Sequence, residues 1–148
     1  MNRPKMKALL IAGVILATLA GGCQEKPTTE ELLMGYQYTL NQLADMAMES
    51  LDEAETQTSQ GEMTAVQFEA RYQEITLIWA QTIEEIDHDK QYRELWPIIF
   101  GDSKPPSLVE APSNPTLQQW ASYIAQVEEY IFIHYQLVDT AWGKLGYS

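Results

Sequence analysis

The amino-acid sequence predicts an all-α protein, an antiparallel three-helix bundle with a long proline-rich loop that can add a fourth short helix or layer. Three long stretches carry apolar residues at steps of three and four, the spacing that places them on one face of a helix. No stretch shows the period-two alternation of a half-buried strand. Residues 101–115 contain four prolines and are predicted to be the one long loop.

The first predicted helix covers residues 28–58. Thr28 and Glu31 have the spacing of a capping box, in which each side chain bonds the backbone of the other residue. The polar segment 56–62 ends the helix, and Gly61 within it marks a turn. The apolar stripe of this helix consists of Leu32, Leu33, Tyr36, Leu40, Leu43, Ala47, Leu51 and Ala54.

The second predicted helix covers residues 64–95. Thr64 and Gln67 repeat the capping-box spacing. Pro97 ends any helix that reaches it, because proline lacks an amide hydrogen and restricts the residue before it. The polar run 87–90 is a place where this helix can break. The stripe consists of Ala65, Phe68, Tyr72, Ile75, Trp79, Ile83 and Ile86, with Tyr92, Leu95 and Trp96 beyond the polar run.

The third predicted helix covers residues 115–145. Asn114 is a favourable N-cap, Pro115 suits the first turn, and Gly143 and Gly146 close the helix. At ~1.5 Å per residue the three helices are ~40 to 45 Å long, and matched lengths are typical of an up-down-up bundle. The stripe consists of Leu117, Trp120, Ile124, Val127, Ile131, His134, Tyr135, Val138, Trp142 and Leu145.

The first 22 residues have the three-part plan of a secretory signal peptide. Arg3, Lys5 and Lys7 are followed by an apolar run over residues 8–19 and then by small residues. A helix of about a dozen residues rises ~18 Å, which is short of the ~30 Å hydrocarbon core of a bilayer. These residues therefore predict an export signal rather than a permanent transmembrane helix.

The segment LAGGC at residues 19–23 resembles the lipobox of bacterial lipoproteins, in which the cysteine is acylated and becomes the first residue of the mature protein. The commonest form of the box has Leu where this chain has Ala20. The resemblance implies lipidation of Cys23 and, since Gln24 is not the Asp that retains such proteins at the inner membrane, an outer-membrane location facing the periplasm. The alternative is an ordinary signal peptide cut after Ala20 or Gly22, which leaves a free thiol.

Cleavage before Cys23 leaves a tether of residues 23–27 and a bundle domain of residues 28–148. The whole chain has a net charge of −12, and the mature part retains six basic residues against 21 acidic ones, a net charge of −15. Nucleic-acid phosphates and anionic lipid head groups repel such a protein. The composition therefore excludes nucleic acid as a partner and leaves the N-terminal lipid as the membrane contact. Cys23 is the only cysteine, so no disulfide is expected in the domain.

The two histidines are the candidate metal or haem ligands. Glu85 and His88 have the Glu-x-x-His spacing of di-iron bundles, but such a site needs a second copy, which His134 does not provide. His88 is predicted to be a solvated helix end. His134 lies on the apolar stripe, which predicts a core histidine bonded to a tyrosine or carboxylate; a metal or haem ligand and a pH switch are the alternatives. We expect no metal and no cofactor.

The sequence contains no catalytic motif such as Gly-x-Ser-x-Gly, His-Glu-x-x-His or a phosphate-binding glycine loop. The adjacent acids at 84–85 and 128–129 are expected to face solvent rather than to act as general acid and base. The sequence therefore predicts a protein that is not an enzyme.

A second apolar face remains on the third helix and is the candidate partner-binding surface, formed by Phe132, Ile133 and Leu137. Leu77 points away from the main stripe of the second helix in the same way. Either the proline-rich loop or a helix of a partner protein is expected to cover these residues. The apolar side chains available in and before the loop are Trp96, Ile98, Ile99, Phe100, Leu108 and Val109.

The leading hypothesis is a lipid-anchored, non-enzymatic adaptor that binds another envelope protein through an apolar groove. A second hypothesis is a bundle that binds an apolar small molecule in a cavity lined by Tyr72, Trp79, Trp120 and Tyr135. A cavity of ~300 Å³ or more favours this second hypothesis. A third is an exclusion or immunity lipoprotein of a mobile element, for which no residue argues.

Overall fold

The structure, a computed structural model, describes residues 26–147. Their helices are α1 (Thr29–Ser59), α2 (Ala65–Asp87), a 3₁₀ turn (Tyr92–Leu95), the one-turn α3 (Trp96–Ile99) and α4 (Leu117–Lys144). No strand occurs in this range. The prediction of an all-α bundle is confirmed, while the predicted signal peptide and Cys23 lie outside the described residues.

Capping boxes begin all three long helices. The first two are the predicted ones, Thr28 with Glu31 and Thr64 with Gln67. The third differs from the prediction, because Thr116 pairs with Gln119 and the helix starts at Leu117 rather than at residue 115. The amide of Thr116 donates to the Gln119 side chain, and the amide of Gln119 donates to the Thr116 side chain. This capping box satisfies two backbone amides, whereas an Asn cap alone satisfies one. Asn114 instead adopts a left-handed conformation, with φ of 48°, which asparagine tolerates.

Helix α2 ends at Asp87, before the predicted limit of residue 95. The next residues form tight turns, in which the Gln91 amide donates to Oδ1 of Asp89 at 2.8 Å. Trp96 then turns back on the helix end, and its indole N–H donates to the carbonyl of Asp87 at 3.0 Å. The helix can end here because the Asp89 carboxylate and the Trp96 indole bond backbone groups that would otherwise pair within a continuing helix.

Helix α1 runs antiparallel to α2 and α4, whereas α2 and α4 are parallel. At one end of the bundle, Tyr36 of α1 bonds Asp87 at the end of α2 and His134 in the second half of α4. Towards the other end, Trp120 in the first turn of α4 donates to Gln73 in the first half of α2 at 2.5 Å. The order is therefore up-down-down, which differs from the up-down-up order expected from the helix lengths.

The proline-rich segment 101–116, which we call the crossover, makes this order possible by returning the chain along the bundle. It begins beside the end of α4, where the Lys144 ammonium donates to the Ile98 carbonyl at 2.9 Å. It ends at the first turn of the same helix. These points are roughly 35 Å apart along the helix axis, and extended chain of this length spans ~50 Å at ~3.1 Å per residue.

The core lies between the three long helices and a layer formed by α3 and the crossover. Ile99 and Phe100 are buried, and Trp96, Ile98 and Leu108 pack against the core. The expected fourth layer is therefore present, but it does not cover the whole second apolar face of α4, because Phe132 is 62% exposed and Ile133 is 36% exposed. The least exposed apolar residues of the core include Leu33, Leu40, Ala80, Ile83, Leu95, Val127, Val138 and Ala141.

Both ends of the described chain lie at the same end of the bundle. Lys26 pairs with Glu94, just before α3, at 3.0 Å. The carboxylate of Glu30, in the first turn of α1, raises the pKa of the Tyr147 phenol through a hydrogen bond. We call this the anchored end, because the predicted lipid tether joins the chain here.

Candidate functional site

An apolar groove opens between α1 and α4, with α2 as its floor, and has a volume of about 430 Å³. Towards the anchored end, α1 and α4 are joined by two bonds: the Tyr135 hydroxyl donates to the Leu40 carbonyl at 2.5 Å, and the Trp142 indole donates to Gln37 at 3.2 Å. The groove lies beyond these bonds. Its lining residues are Ala44, Leu51, Tyr72, Ile75, Thr76, Trp79, Glu128, Ile131, Phe132 and Tyr135.

Three of the four aromatic residues predicted to line a cavity line the groove, namely Tyr72, Trp79 and Tyr135. The rings of Trp79 and Tyr135 meet edge to face, with centroids 6.1 Å apart. The Tyr72 hydroxyl donates to Oε1 of Glu128 at 2.5 Å, a bond that raises the pKa of the phenol. Trp120 lies outside the lining. The groove exceeds the ~300 Å³ typical of the smallest ligand sites.

The predicted partner-binding residues lie on two different sides of α4. Phe132 lines the groove and is 62% exposed, whereas Ile133 lies outside the lining and Leu137 is half-buried against the core. Successive residues of a helix point ~100° apart, so Leu137 lies ~140° around α4 from Phe132. Lys144, seven residues after Leu137 and on the same face, bonds to α3. The three residues therefore do not form one surface, and only Phe132 belongs to the groove.

The two walls of the groove are negatively charged. Helix α1 carries seven acidic residues and no basic one, and the only basic residue of α4 is Lys144 in its last turn. Burial raises the pKa of the Tyr135 phenol to about 12, and the nearby Asp45 carboxylate adds to this shift. The groove is therefore apolar inside and acidic at its rim.

A buried polar cluster, formed by Tyr36, Asp87 and His134, joins the three long helices near the anchored end. The Tyr36 hydroxyl donates to Oδ1 of Asp87 and also hydrogen-bonds with Nε2 of His134. Within residues 26–147, Oδ2 of Asp87, Nδ1 of His134 and the Tyr130 hydroxyl have no hydrogen-bond partner. The prediction of a core histidine bonded to a tyrosine or carboxylate is confirmed.

Burial favours the neutral forms of both titratable partners of Tyr36. It raises the pKa of the Asp87 carboxyl to about 7, although the bond from Tyr36 acts in the opposite direction. It lowers the pKa of the His134 imidazole to about 4. The cluster is almost inaccessible, since its three members are at most 3% exposed. It therefore holds the helices together at a point closed to substrates.

The other charged candidates are at the surface. His88 is exposed and forms the C-cap of α2, which confirms the predicted solvated helix end. Glu85, Glu128 and Glu129 are exposed, while Glu84 is half-buried. The part of the chain that the structure describes contains no group of three or more His, Cys, Asp or Glu side chains placed to hold a metal ion.

Comparison with known proteins gives no match to a family model, a curated protein or a solved structure. None of the helices within residues 26–147 is long and apolar enough to cross a membrane.

Proposed function

We propose that this protein is a lipid-anchored, non-enzymatic adaptor of the cell envelope that binds a helical segment of another envelope protein in the apolar groove. The groove itself carries the proposal, because it offers about 430 Å³ of space between three helices and is lined mainly by apolar side chains. Grooves of this kind bind amphipathic helices through their apolar faces. Burying the exposed ring of Phe132 under such a helix would contribute ~1.5 to 3 kcal/mol.

Lipidation of Cys23 is the second part of the proposal. It is supported by the signal-peptide plan of residues 1–22 and by the lipobox-like segment 19–23. Stable anchoring needs more than one acyl chain, which lipoprotein processing supplies. The negative charge of the domain keeps it off anionic head groups. The groove then stays accessible to a partner in the periplasm.

A second candidate function is the binding of an apolar small molecule in the same groove. The volume favours it, since small-molecule sites measure ~300 to 1,000 Å³. Tyr72, Trp79 and Tyr135 supply the aromatic walls that such a ligand would contact. The two candidate functions share one site and differ in its occupant.

Site-specific photo-crosslinking of the full-length protein in its own envelope separates these functions. A photoreactive amino acid in place of Phe132 is expected to form an adduct with one protein. The same amino acid in place of Leu117, which is 91% exposed on α4 and outside the groove lining, is expected to form none. Adducts of Phe132 with small molecules alone would support the second function. Equal adducts at both positions, or none at Phe132, would contradict any binding role of the groove.

A further inference from the structure

We infer that the occupant of the groove is a cationic amphipathic helix, with an apolar stripe about two turns long and Lys or Arg residues on both sides of the stripe. This inference rests on the proposed function, because it specifies the chemistry of the partner that the adaptor binds. It is carried by the dimensions of the groove and by the charges of its two walls.

The groove is equally long on each of its three helices. Its lining runs over residues 44–51 of α1, 72–79 of α2 and 128–135 of α4. Seven steps along a helix rise ~10.5 Å, which is two turns. A helix docked along the groove would therefore present apolar residues at positions i, i+3 or i+4, and i+7.

Acidic residues stand on both sides of this apolar floor. Asp45 and Asp52 are exposed on α1, and each directly follows a residue of the groove lining. Glu128 belongs to the lining on the α4 side and is exposed. A docked helix would therefore have carboxylates beside both edges of its apolar stripe.

Basic residues are absent from the same walls. Helix α1 has none, and Lys144 of α4 is at the anchored end, where it bonds the Ile98 carbonyl. Arg71, next to the floor residue Tyr72, lies on the α1–α2 side of α2 and pairs with Glu74 at 3.2 Å. The described rim thus offers negative charge without compensating cations, and that charge attracts Lys or Arg on the partner.

This charge pattern selects among helices that share the same apolar stripe. Each exposed ion pair is individually weak and sensitive to salt, but several together determine the preferred partner and speed its association. An acidic helix, a fatty-acid carboxylate or an anionic lipid head group would be repelled. The groove therefore favours a basic protein segment over these other apolar occupants.

Three synthetic helical peptides with one apolar stripe and flanks of Lys, Gln or Glu test the inference. They are titrated onto the full-length lipidated protein in nanodiscs of zwitterionic lipid. We expect the Lys peptide to bind about tenfold more tightly than the Gln peptide, and the Glu peptide to bind most weakly. These differences should shrink at about 0.5 M salt.

Two matched double variants test whether the acidic rim of the groove causes the preference for the Lys peptide over the Glu peptide. Asp45→Asn with Glu128→Gln should bring the affinity ratio of the Lys and Glu peptides towards one. Glu94→Gln with Asp102→Asn changes the net charge equally at the anchored end, where Glu94 pairs with Lys26, and should preserve the ratio. An equal loss of preference in both double variants would overturn the inference, because it would trace the effect to net charge alone.

The remaining outcomes separate this inference from the proposed function. Equal binding of all three peptides, lost in Phe132→Gln, would overturn the cationic partner while supporting the adaptor. Binding of none of the peptides would overturn the inference. If the photoreactive amino acid at Phe132 also gave no protein adduct, the adaptor function would fail independently.

Discussion

Asp87 and His134 affect the pH dependence of stability in opposite directions. The pKa of Asp87 rises from 3.8 to about 7 on folding, so unfolding releases a proton and stability falls as the pH rises between these values. The pKa of His134 falls from 6.5 to about 4, so unfolding takes up a proton and stability rises with pH over that interval. Between about pH 4 and 6.5 the two effects oppose each other, and the native protein should show little net slope from this pair.

Replacing either Asp87 or His134 should reveal the pH dependence that the other residue gives to the free energy of unfolding. In Asp87→Asn, the free energy of unfolding should increase with pH between about 4 and 6.5, by up to ~1.4 kcal/mol per pH unit relative to the parent. In His134→Gln it should decrease over the same interval. Urea unfolding of the domain at several pH values measures both slopes.

Asp139→Asn is the matched control, because Asp139 is exposed on α4. It should change the pH profile little. Profiles of Asp87→Asn and His134→Gln that run parallel to that of the parent would show that the cluster does not titrate as its burial requires.

The sequence predicts the environment of His134 but not the part played by Asp87. The position of His134 on a strong apolar stripe places it in the core, where an imidazole needs a polar partner. Asp87 stands beside His88, Asp89 and Lys90, a run typical of a solvated helix end. Only the packing of α1 and α4 against this end brings Tyr36 and His134 to it, and no local pattern encodes that packing.

The crossover fixes the direction of α4 through its length. Deleting residues 104–111 leaves a connection that reaches about 30 Å even when fully extended, against the roughly 35 Å that it must span. The deleted protein should therefore lose the monomeric bundle and either unfold or exchange α4 between two chains. Circular dichroism and light scattering distinguish these two states from the parent.

A flexible segment of equal length is the control for this deletion. Replacing residues 104–111 with Gly and Ser should retain a monomeric helical fold, at reduced stability, because Leu108 no longer packs against the core. A deletion variant that stays monomeric and melts at the parent temperature would show that α4 does not need the crossover to take its place.

Periodicity identifies the helices of this chain but not their directions. The apolar stripes and two capping boxes predict α1 and the start of α2, because they depend on residues at most four apart. The direction of α4 depends on whether the loop before it can traverse the bundle. The sequence does hold one indication that the loop can do so, namely the four prolines within residues 101–115, which keep the segment extended. Helix geometry also predicts that Phe132 and Leu137 lie on different sides of α4, because successive residues of a helix point ~100° apart. Which of the two sides faces the groove depends on how α4 packs.

At the scale of the whole molecule, Cys23→Ser should release the protein from the membrane. The substitution removes the sulfur atom that is proposed to be acylated, and it should therefore abolish labelling by palmitate. Release should follow because no helix within residues 26–147 is long and apolar enough to cross a bilayer. Fractionation of cells before and after a high-salt wash measures the release. A serine variant that stays with the membrane after the wash would show that the signal helix is retained instead.

With the proposed lipid anchor at Cys23, the position of both chain ends at the anchored end would make the bundle a spacer. Helix α1 rises ~22 Å from Thr29 before it reaches Ala44, the first groove residue, and ~33 Å before it reaches Leu51. A reporter fused after Tyr147 would lie at the foot of the molecule, whereas the groove stands two to three nanometres further along the bundle. The number of helical turns between the chain ends and the groove would then set the height above the membrane at which the proposed partner is held.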